Sequence, residues 1–418
     1  MLGKWLKSTS SGISSAIHTI MSSKVEFKKR AGGVLAPLGF LGGATACGIK
    51  AGKANRPDLA LIAGGHICAA AATFTTNLVK AAPVKLSARH VRDGRAAAVV
   101  LNSGNANACT GPEGDASALA MAKRVANRLG CAAKDILVCS TGRIGVQLPM
   151  DRIEAGIDRV ELGRAGAAEC ARAIMTSDSF PKWASYDVRC PEGTFRVGAM
   201  AKGAGMIDPN MATMLCLFTT DAVVEAPVLR TALKASVAAT FNCITVDGDM
   251  STNDTVIALA SGESGVCPSA SLLRSALDRV LGEMARLIVK DGEGVSRLVE
   301  VRVDGASSAS DARKAANAVA NSKLVKCAWA GGDPNWGRIL CALGYSGARI
   351  QENRVDIDYD GLAVVRGGRL AATPWARLKA VAARKEFRVT IRLGVGRFSH
   401  EVWTTDLTED YVKFNLGE

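Results

Sequence analysis

Residues 201–221 read AKGAGMIDPNMATMLCLFTTD, a loop that runs into a strand. Gly203, Gly205 and the Pro209, Asn210 pair supply turn chemistry, while 214–218 is an unbroken apolar run of strand length. Thr213 stands at the junction. A threonine between a turn and a core strand ordinarily serves packing, and at an element boundary it can also be held rigid and exposed. If the bond between Ala212 and Thr213 were cut, Thr213 would open a new chain with both a hydroxyl and an α-amine, a nucleophile carrying its own base.

Outward from this junction, strand and helix patterns alternate on both sides. Upstream, 58–62, 70–74, 96–101 and 136–139 read as short strands, 151–160 and 165–175 have helical periodicity, and 184–200 holds further strands. Asp115 is a candidate cap for a helix through Leu129, with Gly130 as its stop. Downstream, Pro227 suits the first turn of a helix ending near Thr240; 256–260 and 298–303 read as strands, and 269–289 and 311–320 as helices. In 355–359 and 387–393 apolar and polar residues alternate as in half-exposed strands. The expectation is a layered α/β (α+β) protein. At 418 residues it exceeds what one core ordinarily holds, and no glycine cluster forms a dinucleotide or P-loop fingerprint in context.

Composition narrows the function classes. The chain is 48% hydrophobic and 22% charged, with 43 glycines and 5% aromatic residues, a globular composition with closely approaching backbones. Its net charge of +13 is scattered along helical segments without zinc-finger spacing or interleaved aromatics, which argues against nucleic acid and for an anionic small substrate or general surface charge. No apolar run has membrane-spanning length. The 12 cysteines show no CxxC, and His18, His66, His90 and His400 form no metal motif; buried thiols in a reducing compartment and no metal site are expected. Residues 1–25, with Lys4, Lys7 and Lys24, many serines and no acid before Glu26, read as an uncertain leader in which Met21 could mark an alternative start.

Four polar clusters punctuate the strand ends. NSGNANACTG at 102–111 suits either side-chain-bonded turns or a pocket wall. At 140–145, STGRIG is either an ordinary turn or a hydroxyl and a glycine amide aimed at an oxygen that gains charge. DGDMSTND at 247–254 invites a metal reading, but its spacing lacks the calcium-loop pattern, leaving backbone-capping turns or contacts to a substrate amine. Glu293, in DGEG at 291–294, is either a solvated loop acid or a partner for a bound cation. GGDPNWGR at 331–338 is open between a hairpin, a helix entry and a ligand wall.

Taken together, FTTN at 74–77, NSGNANACTG, STGRIG, PNMATML at 209–215, DGDMSTND, DGEG and DPNWGRIL at 333–340 resemble the ornithine acetyltransferase family over roughly residues 30–415. The resemblance implies a DmpA/ArgJ-like fold, autoprocessed between Ala212 and Thr213 into associated chains, 26–212 and 213–418. It implies Thr213 as nucleophile, Thr141 and Gly142 as oxyanion donors, and Thr176, Lys202, Thr213, Glu293 and Asn415 as substrate contacts. The implied reaction transfers acetyl from N2-acetyl-L-ornithine to L-glutamate, with no cofactor and with acetyl-CoA open as a co-substrate. An α2β2 or higher assembly is implied as well. The expected compartment is the cytoplasm, or the mitochondrial matrix for a eukaryotic source with a transit leader. After Asn415 the chain reads Leu416, Gly417, Glu418, without the terminal threonine that the family commonly supplies, so the resemblance carries less to affinity than to the nucleophile. The competing readings are an N-terminal-nucleophile amidase or aminopeptidase of related fold, and an inactive homologue.

Overall fold

The computed structural model describes residues 25–50, 55–208 and 214–416. Residues 1–24 of the expected leader lie outside these, as do Ala212 and Thr213. In chain order the first unit comprises Glu26–Lys29 (β1), Phe40–Thr45 (β2), Leu59–Phe74 (β3), Ala82–His90 (α1), Arg95–Asn102 (β4), Gly111–Leu129 (α2), Ile136–Ser140 (β5), Met150–Arg159 (α3), Ala167–Ala173 (α4), Lys182–Cys190 (β6), Gly193–Lys202 (β7), Leu215–Thr220 (β8), Ala226–Ala239 (α5), Thr255–Ala260 (β9) and Ala270–Lys290 (α6).

These strands form one 9-stranded sheet in the order β1-β6-β7-β8-β9-β3-β4-β5, with β2 on β3. The two short strands expected at 58–62 and 70–74 are in fact one strand, β3, whose register with β4 shifts between Ala63 and Cys68. Gly64 permits the bend. A Cβ there would lie 2.6 Å from Cys68 Sγ and 2.7 Å from the His66 carbonyl oxygen.

Side chains alternate across the bent sheet and sort into layers. Cys216, Phe218, Val256 and Ala258 pack on α5 and α6. Leu215, Leu217, Ile257 and Leu259 share a core with Ala60, Ile62, Val99, Leu101, Leu137 and Cys139. The other face of that second half, with Leu61, Ala98, Val100 and Val138, is covered by α1, α2 and α3. Helices thus enclose two strand layers, the expected layered α/β class. β7 pairs antiparallel with β8 (Lys202↔Leu215) and β8 parallel with β9 (Leu215↔Thr255), so strands from both sides of the junction are neighbours in one sheet.

The second unit comprises Leu298–Ala306 (β10), Ala309–Ala320 (α7), Lys323–Ala330 (α8), Trp336–Gly344 (α9), Asp356–Tyr359 (β11), Leu362–Arg366 (β12), Arg369–Leu370 (β13), Trp375–Ala382 (α10), Glu386–Arg392 (β14), Phe398–Thr405 (β15) and Glu409–Asn415 (α11). Its 6-stranded sheet runs β13-β12-β11-β14-β10-β15, with α7 to α10 contributing to one core. The stretch at 331–338 is a helix entry: the Asn335 side chain accepts the Arg338 N–H at 3.1 Å and caps α9. Helix α2 corrects another expectation. It begins at Gly111, ahead of Asp115, because Pro112 in the first turn has φ preset for a helix and lacks only an N–H that would be unpaired there.

Candidate functional site

The parallel pair β4 and β5 ends level, Asn102 beside Ser140, and the chain turns immediately afterwards. Thr141 is 4% exposed and its N–H donates to the Asn102 carbonyl at 3.0 Å. Gly142 has φ +130, and a Cβ there would fall 2.4 Å from the Gly104 carbonyl carbon and 2.5 Å from Asn105 N. Only glycine fits so close to the 102–105 backbone. That backbone is itself tied by side chains: Asn102 Nδ2 donates to Asn105 O at 3.0 Å, Asn105 Oδ1 accepts the Asn107 N–H at 2.8 Å, and Asn107 Nδ2 donates to Gly114 O at 2.9 Å. The asparagines of NSGNANACTG therefore serve as turn builders that hold the Thr141, Gly142 corner.

The loop before β9 joins this corner to the start of β8. Asn253 Nδ2 donates to Ser140 O at 2.8 Å and to Ala106 O at 2.7 Å. The next residue, Asp254, is fully buried, and its Oδ1 accepts the N–H of Met214, the residue after Thr213, at 2.9 Å. Among the described residues, Asp254 Oδ2 has no hydrogen-bond partner. Burial pushes this carboxyl well above the usual carboxylate range, against the Met214 N–H and the Lys202 charge, which favour the anion. Earlier in the same loop, Asp247 takes the N–H groups of Met206 at 2.6 Å and Ile207 at 2.8 Å. Of the readings left open for DGDMSTND, backbone capping is the one its hydrogen bonds display. Among the described residues, no three His, Cys, Asp or Glu side chains gather as a metal site.

Lys202 ends β7 and is 3% exposed. Burial lowers its pKa, opposed chiefly by the Asp178 carboxylate and further by Glu293 and Asp254. Asp178 binds the surrounding backbone: Oδ2 accepts the Thr176 N–H at 2.9 Å, and Oδ1 accepts the Gly203 N–H at 2.7 Å and Lys182 Nζ at 2.6 Å. Burial would raise its pKa, but the Lys202 and Lys182 charges and these donors outweigh that and hold it at about 2.

Glu293 lies against Gly205, where a Cβ would come within 2.4 Å of the Glu293 carboxyl carbon and Oε2. The glycine clears the carboxylate's place. Asn415, on α11, donates from Nδ2 to Glu293 Oε2 at 3.2 Å. At the neighbouring Gly294 (φ +62), a Cβ would stand 2.3 Å from Tyr411 N, so this glycine lets α11 seat directly on the loop.

The structure thus ties Glu293 to Asn415, places Lys202 within the fields of Glu293 and Asp254, joins Thr176 to the Lys202 segment through Asp178, and links the Thr141, Gly142 corner to Met214 through Asn253 and Asp254. Thr213 itself lies outside the described residues. Asp178, Lys182, Asp291 and Asn253 are not among the site residues expected from the sequence; Asp291 and Asn253 lie within the quoted DGEG and DGDMSTND stretches, and Asp178 and Lys182 within the polar turn TSDSFPK at 176–182.

A model of the ArgJ family matches residues 42–417. The chain belongs to the ArgJ family. Relatives within it include the arginine biosynthesis bifunctional protein ArgJ of Symbiobacterium thermophilum, 49% identical over 393 residues, covering 92% of this chain and 98% of the relative. The protein of the same name from Geobacter sulfurreducens is 47% identical over 386 residues, covering 90% and 98%. Among solved structures, an ornithine acetyltransferase complexed with ornithine from Mycobacterium tuberculosis is 43% identical, covers 44% of this chain and 98% of that chain, and has a TM-score of 0.40. The region shared with the ArgJ family contains every expected site residue; β1 precedes it.

Proposed function

We propose that the chain is an acetyltransferase of arginine biosynthesis that moves acetyl from N2-acetyl-L-ornithine to L-glutamate through an ester on Thr213. The observation that carries the reading is a buried cation and a carboxylate, Lys202 and Glu293, beside the start of β8, in a chain of the ArgJ family. An α-carboxylate suits Lys202, and the ammonium at the far end of ornithine suits Glu293. Thr176 and Asn415 add directional hydrogen bonds.

The chemistry begins with the precursor. Thr213 Oγ attacks the Ala212 carbonyl carbon, the C–N bond breaks, and the acyl group moves to oxygen, freeing the Thr213 amine. Water then cleaves the ester, giving the two associated chains, which we assign to an α2β2 or larger assembly. In the mature enzyme the α-amine takes the Oγ proton as Oγ attacks the acetyl carbonyl; an ordinary α-amine pKa near ~7.7–8.0 suits that role. The oxyanion is met by the Thr141 hydroxyl and the Gly142 N–H. As the C–N bond breaks, the proton passes to the departing amine, leaving acetyl-threonine and free ornithine. The amine of L-glutamate attacks next, and N-acetyl-L-glutamate leaves with Thr213 regenerated. The scheme needs no cofactor. The relatives are named bifunctional, which supports acetyl-CoA as a second acetyl donor to the same threonine.

The test follows an isotope. With N2-[13C]acetyl-L-ornithine and L-glutamate, labelled N-acetyl-L-glutamate is expected in step with ornithine release. Label appearing as free acetate, independent of glutamate, would replace the transferase by an amidase.

A further inference from the structure

Three of the residues assigned to substrate sit on separate segments: Thr176 after α4, Lys202 at the end of β7, and Glu293 after α6. One buried ion cluster connects all three. Lys182 Nζ donates to Asp178 Oδ1 at 2.6 Å and to Asp291 Oδ2 at 2.5 Å, and the Lys182 and Asp178 side chains have no exposed surface. Each carboxylate also gathers donors from the segments around it. Asp178 takes the N–H of Thr176 and that of Gly203, next to Lys202. Asp291 takes the Ser179 N–H at 3.0 Å and the Ser179 hydroxyl, and it stands two residues before Glu293, whose own N–H donates to Ala204 O at 3.1 Å.

A buried ion pair adds little stability beyond what well-packed apolar side chains supply, but its charges must meet at fixed points. Here those points are the anchor of the carboxylate-binding lysine and the anchor of the cation-binding glutamate. We propose that Lys182, clamped by Asp178 and Asp291, is a positioning residue that sets the separation of Lys202 from Glu293 and thereby the side-chain length of the amino acid the site accepts. This rests on the acetyl-transfer reading above. Lys182 acts through the two aspartates and touches no substrate.

Steady-state transfer to glutamate by the full chain tests it, with N2-acetyl-L-ornithine compared against the homologues one methylene shorter (2,4-diaminobutyrate) and one longer (lysine), each N2-acetylated. A rigid site discriminates one methylene by about 10-fold or more. In Lys182→Met, KM for acetylornithine is expected to rise about 10-fold with kcat little changed, and the preference over both homologues to fall toward unity. Ser179→Ala removes one hydroxyl from Asp291 and leaves the buried lysine in place; it should move both quantities in the same direction, by about threefold. Folded, processed Lys182→Met with wild-type KM and length preference overturns the proposal. If Lys182→Met does not fold, an unmoved Ser179→Ala overturns it. A wild-type chain without glutamate-dependent transfer overturns the assigned reaction, whereas wild-type turnover with unmoved variants overturns the positioning role alone.

Discussion

Gly205→Ala separates the fold from the site with one methyl group. The new Cβ would lie 2.4 Å from Glu293 Cδ and Oε2 and 2.5 Å from Oε1, whereas unbonded heavy atoms settle near ~3.5 Å. The carboxylate must therefore retreat by about 1 Å. It is the free end of a flexible side chain and Gly205 does not have positive φ, so unfolding free energy should change by less than about 1 kcal/mol. Substrate binding should change far more. A hydrogen bond to a charged group contributes about 1.5–3 kcal/mol, so losing it raises KM for N2-acetyl-L-ornithine by roughly 10- to 150-fold. Because the contact is made in ground state and transition state alike, kcat should stay within about threefold. N2-acetyl-L-norvaline, which lacks the terminal amine, provides the control: its poor turnover should be the same in both proteins. Steady-state kinetics with urea unfolding alongside decide the matter. A wild-type KM for acetylornithine, or an equal loss for acetylnorvaline, would refute the assignment of Glu293 to the substrate cation.

Gly142→Ala should behave differently, because its Cβ meets backbone at 2.4 Å in a φ +130 conformation; kcat is expected to fall by about 100-fold or more, and chain cleavage followed on denaturing gels should slow with it. Asp178 titrates at about 2 when folded and near its ordinary 3.8 when unfolded, so its contribution is complete above 3.8 and is lost as pH falls through 2. That difference corresponds to about 2 kcal/mol, and acid-unfolding curves of Asp178→Asn should lack this component. Lys326 is held at about 7 by burial, against Asp406 and Asp247, while its Nζ donates to Thr404 Oγ1 and to Thr405 O and Oγ1. Between 7 and its ordinary 10.5 the unfolded chain binds the extra proton, so stability should rise with pH there by up to about 1.4 kcal/mol per unit; Lys326→Met should flatten that slope in urea titrations.

Local pattern gave much of the fold because many elements are long or punctuated. Pro227 marks the first turn of α5, Ser269 caps α6 by accepting the Leu272 N–H, and Gly130, at φ +68, stops α2. The pattern failed where glycine erased it: Gly64 and Gly65 interrupt the apolar run of β3, so one bent strand reads as two. Short apolar runs such as those of α8 and α9 do not by pattern alone separate helix from strand; in the structure Ser322 and Asn335 cap them as helices. Thr141, Gly142, Lys202, Glu293 and Asn415 stood out through family resemblance, since each alone reads as an ordinary turn, loop or tail residue. What holds them was not legible. Lys182 meets Asp291 across 109 positions and Asn253 meets Ser140 across 113, and no local periodicity encodes such pairings. The purpose of Gly205 likewise appears only once Glu293 is seen against it.

In the proposed mechanism acetyl passes through Thr213. Intact-mass analysis of the purified protein, first with N2-acetyl-L-ornithine and then with L-glutamate added, tests it most directly. Two chains divided between Ala212 and Thr213 are expected, with an acetyl group on the chain that begins with Thr213 and loss of that group only when glutamate arrives. A folded protein that stays a single chain and takes up no acetyl group would contradict it.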